Sequence, residues 1–165
     1  MNRWLPAGHS AQATTARIAG VEELDRQIVA HLAEDGRMSF TDLGRVTGLS
    51  TSAVHQRVRR LEQRGVIRGY RAVVDPEALG LPLTAFVSIK AVDPAAEDDA
   101  PRLLAGIPAI EACYSVAGDE AYILKVRVAS PQALEALLAE IRSVASASTR
   151  TTVVLSTPFE DRLVD

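Results

Sequence analysis

Apolar positions recur at helical spacing through the first third of the chain and alternate with polar ones through the rest. Leu24, Ile28 and Leu32, with Val29 beside them, form one stripe and predict a helix from about Val21 to Asp35. Gly36 is placed to end it in a left-handed conformation. Ser39 opens the run S-F-T-D, a capping-box pattern with Asp42 three residues on. It predicts a short second helix that buries Leu43 and Val46 and stops at Gly48. Ser50 then caps a third helix, with Val54, Val58 and Leu61 on one face and Gly65 as its terminator.

After Gly65 the period changes from helical to alternating. Val66–Asp75 reads as a strand, Pro76–Pro82 as a turn and Thr84–Val92 as a second strand. Glu97–Gly106 reads as a helix with Pro101 near its start. Ile110–Val116 and Ala121–Ala129 read as strands on either side of A-G-D-E. Ser130-Pro131 opens a helix that buries Leu134, Leu137, Leu138 and Ile141, and Thr149–Ser156 is a last strand. From Thr84 onward the order is β-α-β-β-α-β, the split ferredoxin-like arrangement. In the third of its strands Tyr122, Leu124, Val126 and Val128 face one way, and Ile123, Lys125 and Arg127 the other. A sheet with both helices on one side leaves its second face for a partner subunit. The expected class is α+β: a winged helix-turn-helix domain followed by a ferredoxin-like domain. The expected divisions are a disordered tail over 1–20, the helix-turn-helix over 21–65, a strand and linker over 66–82, and a ferredoxin-like oligomerisation domain over 83–165.

Charge adds function to this outline. The chain carries a net charge of −3, but residues 37–71 hold eight Arg against Asp42 and Glu62, a local +6. Residues 72–165 carry −7. Local charge governs attraction to a phosphate backbone, and every cation in the basic stretch is Arg, whose planar fork suits phosphates and guanine edges. With Val54, Val58 and Leu61 inward, the third helix turns Thr51, Ser52, His55, Gln56, Arg59 and Arg60 outward, side chains able to read base edges in the major groove. Arg57, Arg64 and Arg68 are assigned to phosphates.

Other chemistries find little support. The single cysteine, Cys113, reads as a small buried hydrophobe with no metal-ligand spacing around it. The histidines are His9, His31 and His55, and none falls in the C-terminal segment. No nucleophile–base constellation or phosphate loop is present, so neither an enzyme, a metal nor a cofactor is expected. RNA binding by the sheet would need aromatics on adjacent central strands, and Phe86, Tyr114 and Tyr122 are scattered. No apolar run is long enough for a membrane span and Met1–Gly20 has no signal-peptide core, so a cytoplasmic, nucleoid-associated protein is expected.

The motifs L-D (Leu24–Asp25), D-G-R (Asp35–Arg37), G-L-S (Gly48–Ser50), R-V-R-R-L-E (Arg57–Glu62) and G-x-I-x-G-Y (Gly65–Tyr70) together resemble the Lrp/AsnC, or feast/famine, family of bacterial and archaeal transcription regulators. V-A-G-D at Val116–Asp119 and T-R-T at Thr149–Thr151 extend the resemblance to about residue 157. The runs C-Y-S-V-A-G-x-E and L-K-V-R-V-A-S look most like actinobacterial members. The resemblance implies a sequence-specific regulator of amino-acid metabolism that binds double-stranded DNA. It also implies a homodimer joined through the C-terminal sheets and assembling to an octamer, with an amino-acid effector. The family's effector loop maps onto Ala117, Gly118, Asp119, Glu120, Ala121 and Tyr122. Many members carry G-D-x-D there; this chain has Ala121 at the last position, leaving Glu120 beside Asp119 to hold a ligand ammonium. A nucleoid-packaging role with weak sequence preference is the alternative.

Overall fold

The computed structural model describes residues 22–92 and 99–160. The tail expected over 1–20 lies outside them. The chain divides between Val73 and Val74 into two compact units.

The first unit holds three helices: α1 (Glu23–Glu34), α2 (Phe40–Thr47) and α3 (Thr51–Gln63). Ile28, Leu32, Leu43, Val54, Val58 and Leu61 form its core. The Ser39 hydroxyl accepts from the Asp42 amide at 3.1 Å and donates to the Asp42 carboxylate at 2.6 Å. Arg45 pairs with the same carboxylate from one turn on. Ser50 accepts from the Ala53 amide at 3.2 Å and so starts α3. These bonds satisfy amides that a helix N-terminus leaves without partners.

Three expectations for this unit fail. Val46 is 48 % exposed rather than buried. The inward stripe of α2 is Phe40, Leu43, Gly44 and Thr47, at helical spacing, and Val46 falls outside it. Gly36 is not left-handed: α1 closes at Asp35, in extended conformation. The strand over Val66–Asp75 does not form. Its alternating pattern is real, but a strand exists by pairing with a neighbour, and no strand of this unit lies beside it among the described residues. The winged expectation therefore reduces to a helix-turn-helix without wing strands among those residues.

The second unit holds β1 (Leu83–Ala91), α4 (Ala100–Leu104), β2 (Ile110–Ser115), β3 (Tyr122–Val128), α5 (Pro131–Ala145) and β4 (Ala147–Val153). The strands form one antiparallel sheet in the order β2-β3-β1-β4, as the ferredoxin-like reading requires. Ala85, Val87 and Ile89 of β1 and Leu124, Val126 and Val128 of β3 line the covered face. Leu104 of α4 and Leu134, Leu137 and Ile141 of α5 pack onto them. Ser130 caps α5 by accepting from the Ala133 amide at 3.2 Å, with Pro131 at the first helical position. β4 starts earlier than expected, because Ser146 turns the chain sharply out of α5 in a left-handed conformation, and it ends at Val153, where its pairing with β1 stops.

Among the described residues, no helix covers the opposite face of the sheet. Phe86 and Tyr114 are exposed there. Lys125 lies 3.1 Å from Glu111 and 2.6 Å from Glu160, with only 15 % of its side chain exposed. Burial works against its charge, but hydrogen bonds to Glu160 and Glu111 outweigh that and hold its pKa above the usual lysine value. Arg127 meets the same Glu111 twice, with Nε 2.6 Å from Oε1 and Nη2 donating to Oε2 at 3.5 Å.

Candidate DNA interface and effector loop

Two glycines bring α2 and α3 to their angle. Gly48 ends α2 at φ 71°, a conformation that costs glycine nothing. Gly44 is buried, and a Cβ on it would sit 2.6 Å from the Leu49 carbonyl oxygen. The turn thus packs directly on the α2 backbone. Sequence reasoning missed Gly44, which looked like an ordinary helical residue.

On α3, Thr51, Ser52, His55, Gln56, Arg59 and Arg60 are all exposed, while Val54, Val58 and Leu61 are fully buried. The Ser52 hydroxyl lies 3.1 Å from that of Ser50. His55 stands edge-on to Phe40, with ring centroids 5.4 Å apart, which orients its imidazole against α2. The outward row therefore combines two hydroxyls, an imidazole, an amide and two guanidinium groups on one rigid surface. Arg64 and Arg68 are exposed beyond it.

Arg57 lies at the edge of that surface, beside Gln56 and Arg60. Its Nη1 lies 2.8 Å from Asp25 Oδ1 and 2.8 Å from Glu22 Oε2, and 19 % of its side chain is exposed. The hydrogen bonds to Glu22 and then Asp25 push its pKa further up. Asp25 is 4 % exposed, the one buried charged residue among those described. One nitrogen of the guanidinium expected to meet a phosphate is thus held by two carboxylates, which ties α3 to the start of α1. Glu22, at the N-cap position of α1, makes no side-chain cap bond and serves Arg57 instead.

The effector loop joins β2 to β3. The Val116 amide donates to the Ala121 carbonyl at 3.0 Å, and the Ala121 amide donates to the Ile89 carbonyl at 3.1 Å, so the loop is pinned to β1. Ala117, Gly118 and Asp119 are exposed and Glu120 is partly buried. A Cβ on Gly118 would meet nothing within 4 Å, and its φ is not positive. Neither reason for a glycine is exercised within this chain. Tyr122 begins β3 and packs against the helix-covered core. Asp119 and Glu120 turn to the other side and border a groove with Ser88 and Lys90 of β1 and Arg150 of β4. Glu120 forms an ion pair with Arg150. Sequence reasoning did not anticipate Ser88, Lys90 or Arg150 here.

Cys113 lies on edge strand β2 and is exposed rather than buried. Partial burial nevertheless pushes its thiol pKa up, so it stays protonated. Among the described residues, no group of three His, Cys, Asp or Glu side chains could hold a metal, and no helix is long and apolar enough to cross a membrane.

Comparison with known proteins bears on both units. Residues 22–62 match the AsnC-type helix-turn-helix domain and residues 84–164 the Lrp/AsnC ligand binding domain. The chain is 52 % identical to the HTH-type transcriptional regulator LrpA of Mycobacterium tuberculosis, over 86 % of this chain and 95 % of that protein. It is 37 % identical to the leucine-responsive regulatory protein of Salmonella typhimurium, over 82 % and 85 %. Among solved structures, a feast or famine regulatory protein of M. tuberculosis in complex with L-methionine superposes with a TM-score of 0.86 at 51 % identity, covering 88 % of this chain and 99 % of that one. E. coli AsnC superposes at 0.81 with 28 % identity, covering 88 % and 98 %.

Proposed function

The chain belongs to the Lrp/AsnC family of helix-turn-helix transcriptional regulators, which are not enzymes, and we propose that it is a sequence-specific regulator of amino-acid metabolism whose DNA binding responds to an amino acid. The observation that carries this reading is the outward row of α3. Six polar side chains stand on one face of a helix whose other face is locked in a core, within a stretch of net charge +6. Arg59 and Arg60 read guanine edges, Gln56 reads adenine, and Thr51, Ser52 and His55 complete the contact. Arg64 and Arg68 neutralise phosphates. Arg57 sets the orientation of α3 rather than touching DNA.

The ferredoxin-like part of the second unit, from about residue 83, serves as the sensor and oligomerisation domain. Two such chains pair through the open sheet face that carries Phe86 and Tyr114, giving two recognition helices for a pseudo-palindromic site. Assembly continues to an octamer, as the family resemblance implies. The effector binds at the Ala117–Tyr122 loop. A relative of 51 % identity crystallised with L-methionine supports an amino acid as the ligand class.

The test is genome-wide mapping of bound sites with and without added amino acids. A regulator yields a limited set of sites sharing a motif beside genes of amino-acid metabolism, and occupancy changes with the effector. Uniform coverage without a motif would support DNA packaging instead.

A further inference from the structure

The groove beside the effector loop has room for about 180 Å³ and is lined by charges of both signs. Register places Ser88 directly opposite Arg150 and Lys90 opposite Ser148, so Ser88, Lys90 and Arg150 share the open face of the sheet. Asp119 and Glu120 close the groove from the loop. Two cations thus confront two carboxylates across a small, polar space. Arg150 is bound to Glu120, although 75 % of the Arg150 side chain is exposed.

We propose that Arg150 is the carboxylate receptor of the effector site and that its pairing with Glu120 selects for zwitterions. An incoming α-amino acid divides the pair: its α-carboxylate takes the guanidinium fork of Arg150, and its α-ammonium takes Glu120. Both protein charges are then satisfied again. A ligand with only a carboxylate would strip Arg150 from Glu120 and leave Glu120 without its cation. An amine alone would leave Arg150 without its anion. Each therefore trades one ion pair for another with little net gain, whereas the zwitterion gains one. Lys90 adds positive potential on the carboxylate side and Asp119 negative potential on the ammonium side. This inference rests on the effector reading above and extends that site from the hairpin to β1 and β4.

Calorimetric titration of the full chain with the twenty L-amino acids identifies the tightest binder, which is then compared with its own carboxamide and its N-acetyl derivative. Wild type should bind the free amino acid at least tenfold more tightly than either derivative. Arg150→Met should weaken the free amino acid at least tenfold and bring the ratio of acid to carboxamide close to one. Arg150→Lys should retain part of that ratio. Arg150 belongs to neither apolar core, and thermal melts and sedimentation velocity should show both variants with wild-type stability and assembly. If Arg150→Met binds the acid as wild type does, or weakens acid and carboxamide equally so that their ratio is unchanged, the assignment to Arg150 is overturned. If wild type gives no heat with any amino acid, the effector reading itself falls and takes the inference with it.

Discussion

Arg57 of α3 and Asp25 of α1 meet at 2.8 Å across 32 positions of sequence, and the carboxylate of that pair is almost fully buried. Glu22 holds the same guanidinium nitrogen from the solvent side. The recognition helix is thus fixed by charge to the first helix as well as by the apolar core beneath it. Removing one member of a buried pair strands the other, which costs more than the pair itself contributes.

Arg57→Ala should therefore destabilise the first unit by about 2–3 kcal/mol, somewhat less than for a fully buried pair because the guanidinium keeps some solvent. Urea denaturation measures this. The salt dependence of binding to a random duplex separates positioning from phosphate contact. A lost phosphate contact lowers the slope of log K against log salt by roughly one. The pairing with Asp25 predicts an unchanged slope at temperatures where the variant is folded.

Gly44→Ala sets two effects against each other. Alanine gains about 1 kcal/mol of helix propensity over glycine. The added Cβ would sit 2.6 Å from the Leu49 carbonyl oxygen, which is backbone in a tight turn and cannot step aside cheaply. Overpacking of that kind costs about 1–3 kcal/mol. The clash should win, and the unfolding midpoint should fall in chemical denaturation rather than rise.

Asp42 is held below its ordinary carboxylate pKa, first by the Ser39 hydroxyl and then by Arg45. A depressed folded value means that the carboxylate stabilises the capping box above the unfolded pKa, near 3.8, and that this contribution is lost as pH falls through the folded value. Asp42→Asn should consequently melt below wild type at pH 7, and the two curves should converge as pH drops below about 4. Thermal melts followed by circular dichroism across pH 2–7 would show it. A constant difference between the two proteins over that range would contradict the assignment.

Arg59→Ala should weaken operator binding by about 5- to 150-fold, the cost of about 1–3 kcal/mol for a lost guanine contact. It should weaken random duplex far less, so discrimination falls at one base position. Fluorescence anisotropy with operator variants checks this. Equal loss on both duplexes would make Arg59 a phosphate contact.

Most of the fold is legible in local pattern. Val54, Val58 and Leu61 repeat at helical spacing, Ser39, Ser50 and Ser130 sit at helix starts, and the covered face of β3 is an unbroken alternation of apolar side chains. The outward row of α3 follows from the same periodicity. What the sequence hides depends on partners far along the chain. Asp25 reads as an acid in the first turn of a helix, and nothing near it signals Arg57. Glu120 and Arg150 are 30 positions apart, and the antiparallel pairing of β3 and β4 on either side of β1 is what brings them together. Val66–Asp75 shows the converse: its alternation is a strand pattern, but pattern alone supplies no neighbour for its amides. Gly36 and Gly48 look alike in sequence, yet only Gly48 adopts the left-handed conformation.

Whether the outward face of α3 reads a DNA sequence under control of an amino acid is decided by the ratio of affinities for an operator recovered by genome mapping and for a random duplex of equal length. Both are measured at one fixed salt concentration, with and without the amino acid that binds the chain. The ratio should be at least about 1,000, as for specific regulators generally, and operator affinity should shift when the amino acid is added. A ratio near one, unmoved by any amino acid, would contradict that role of α3.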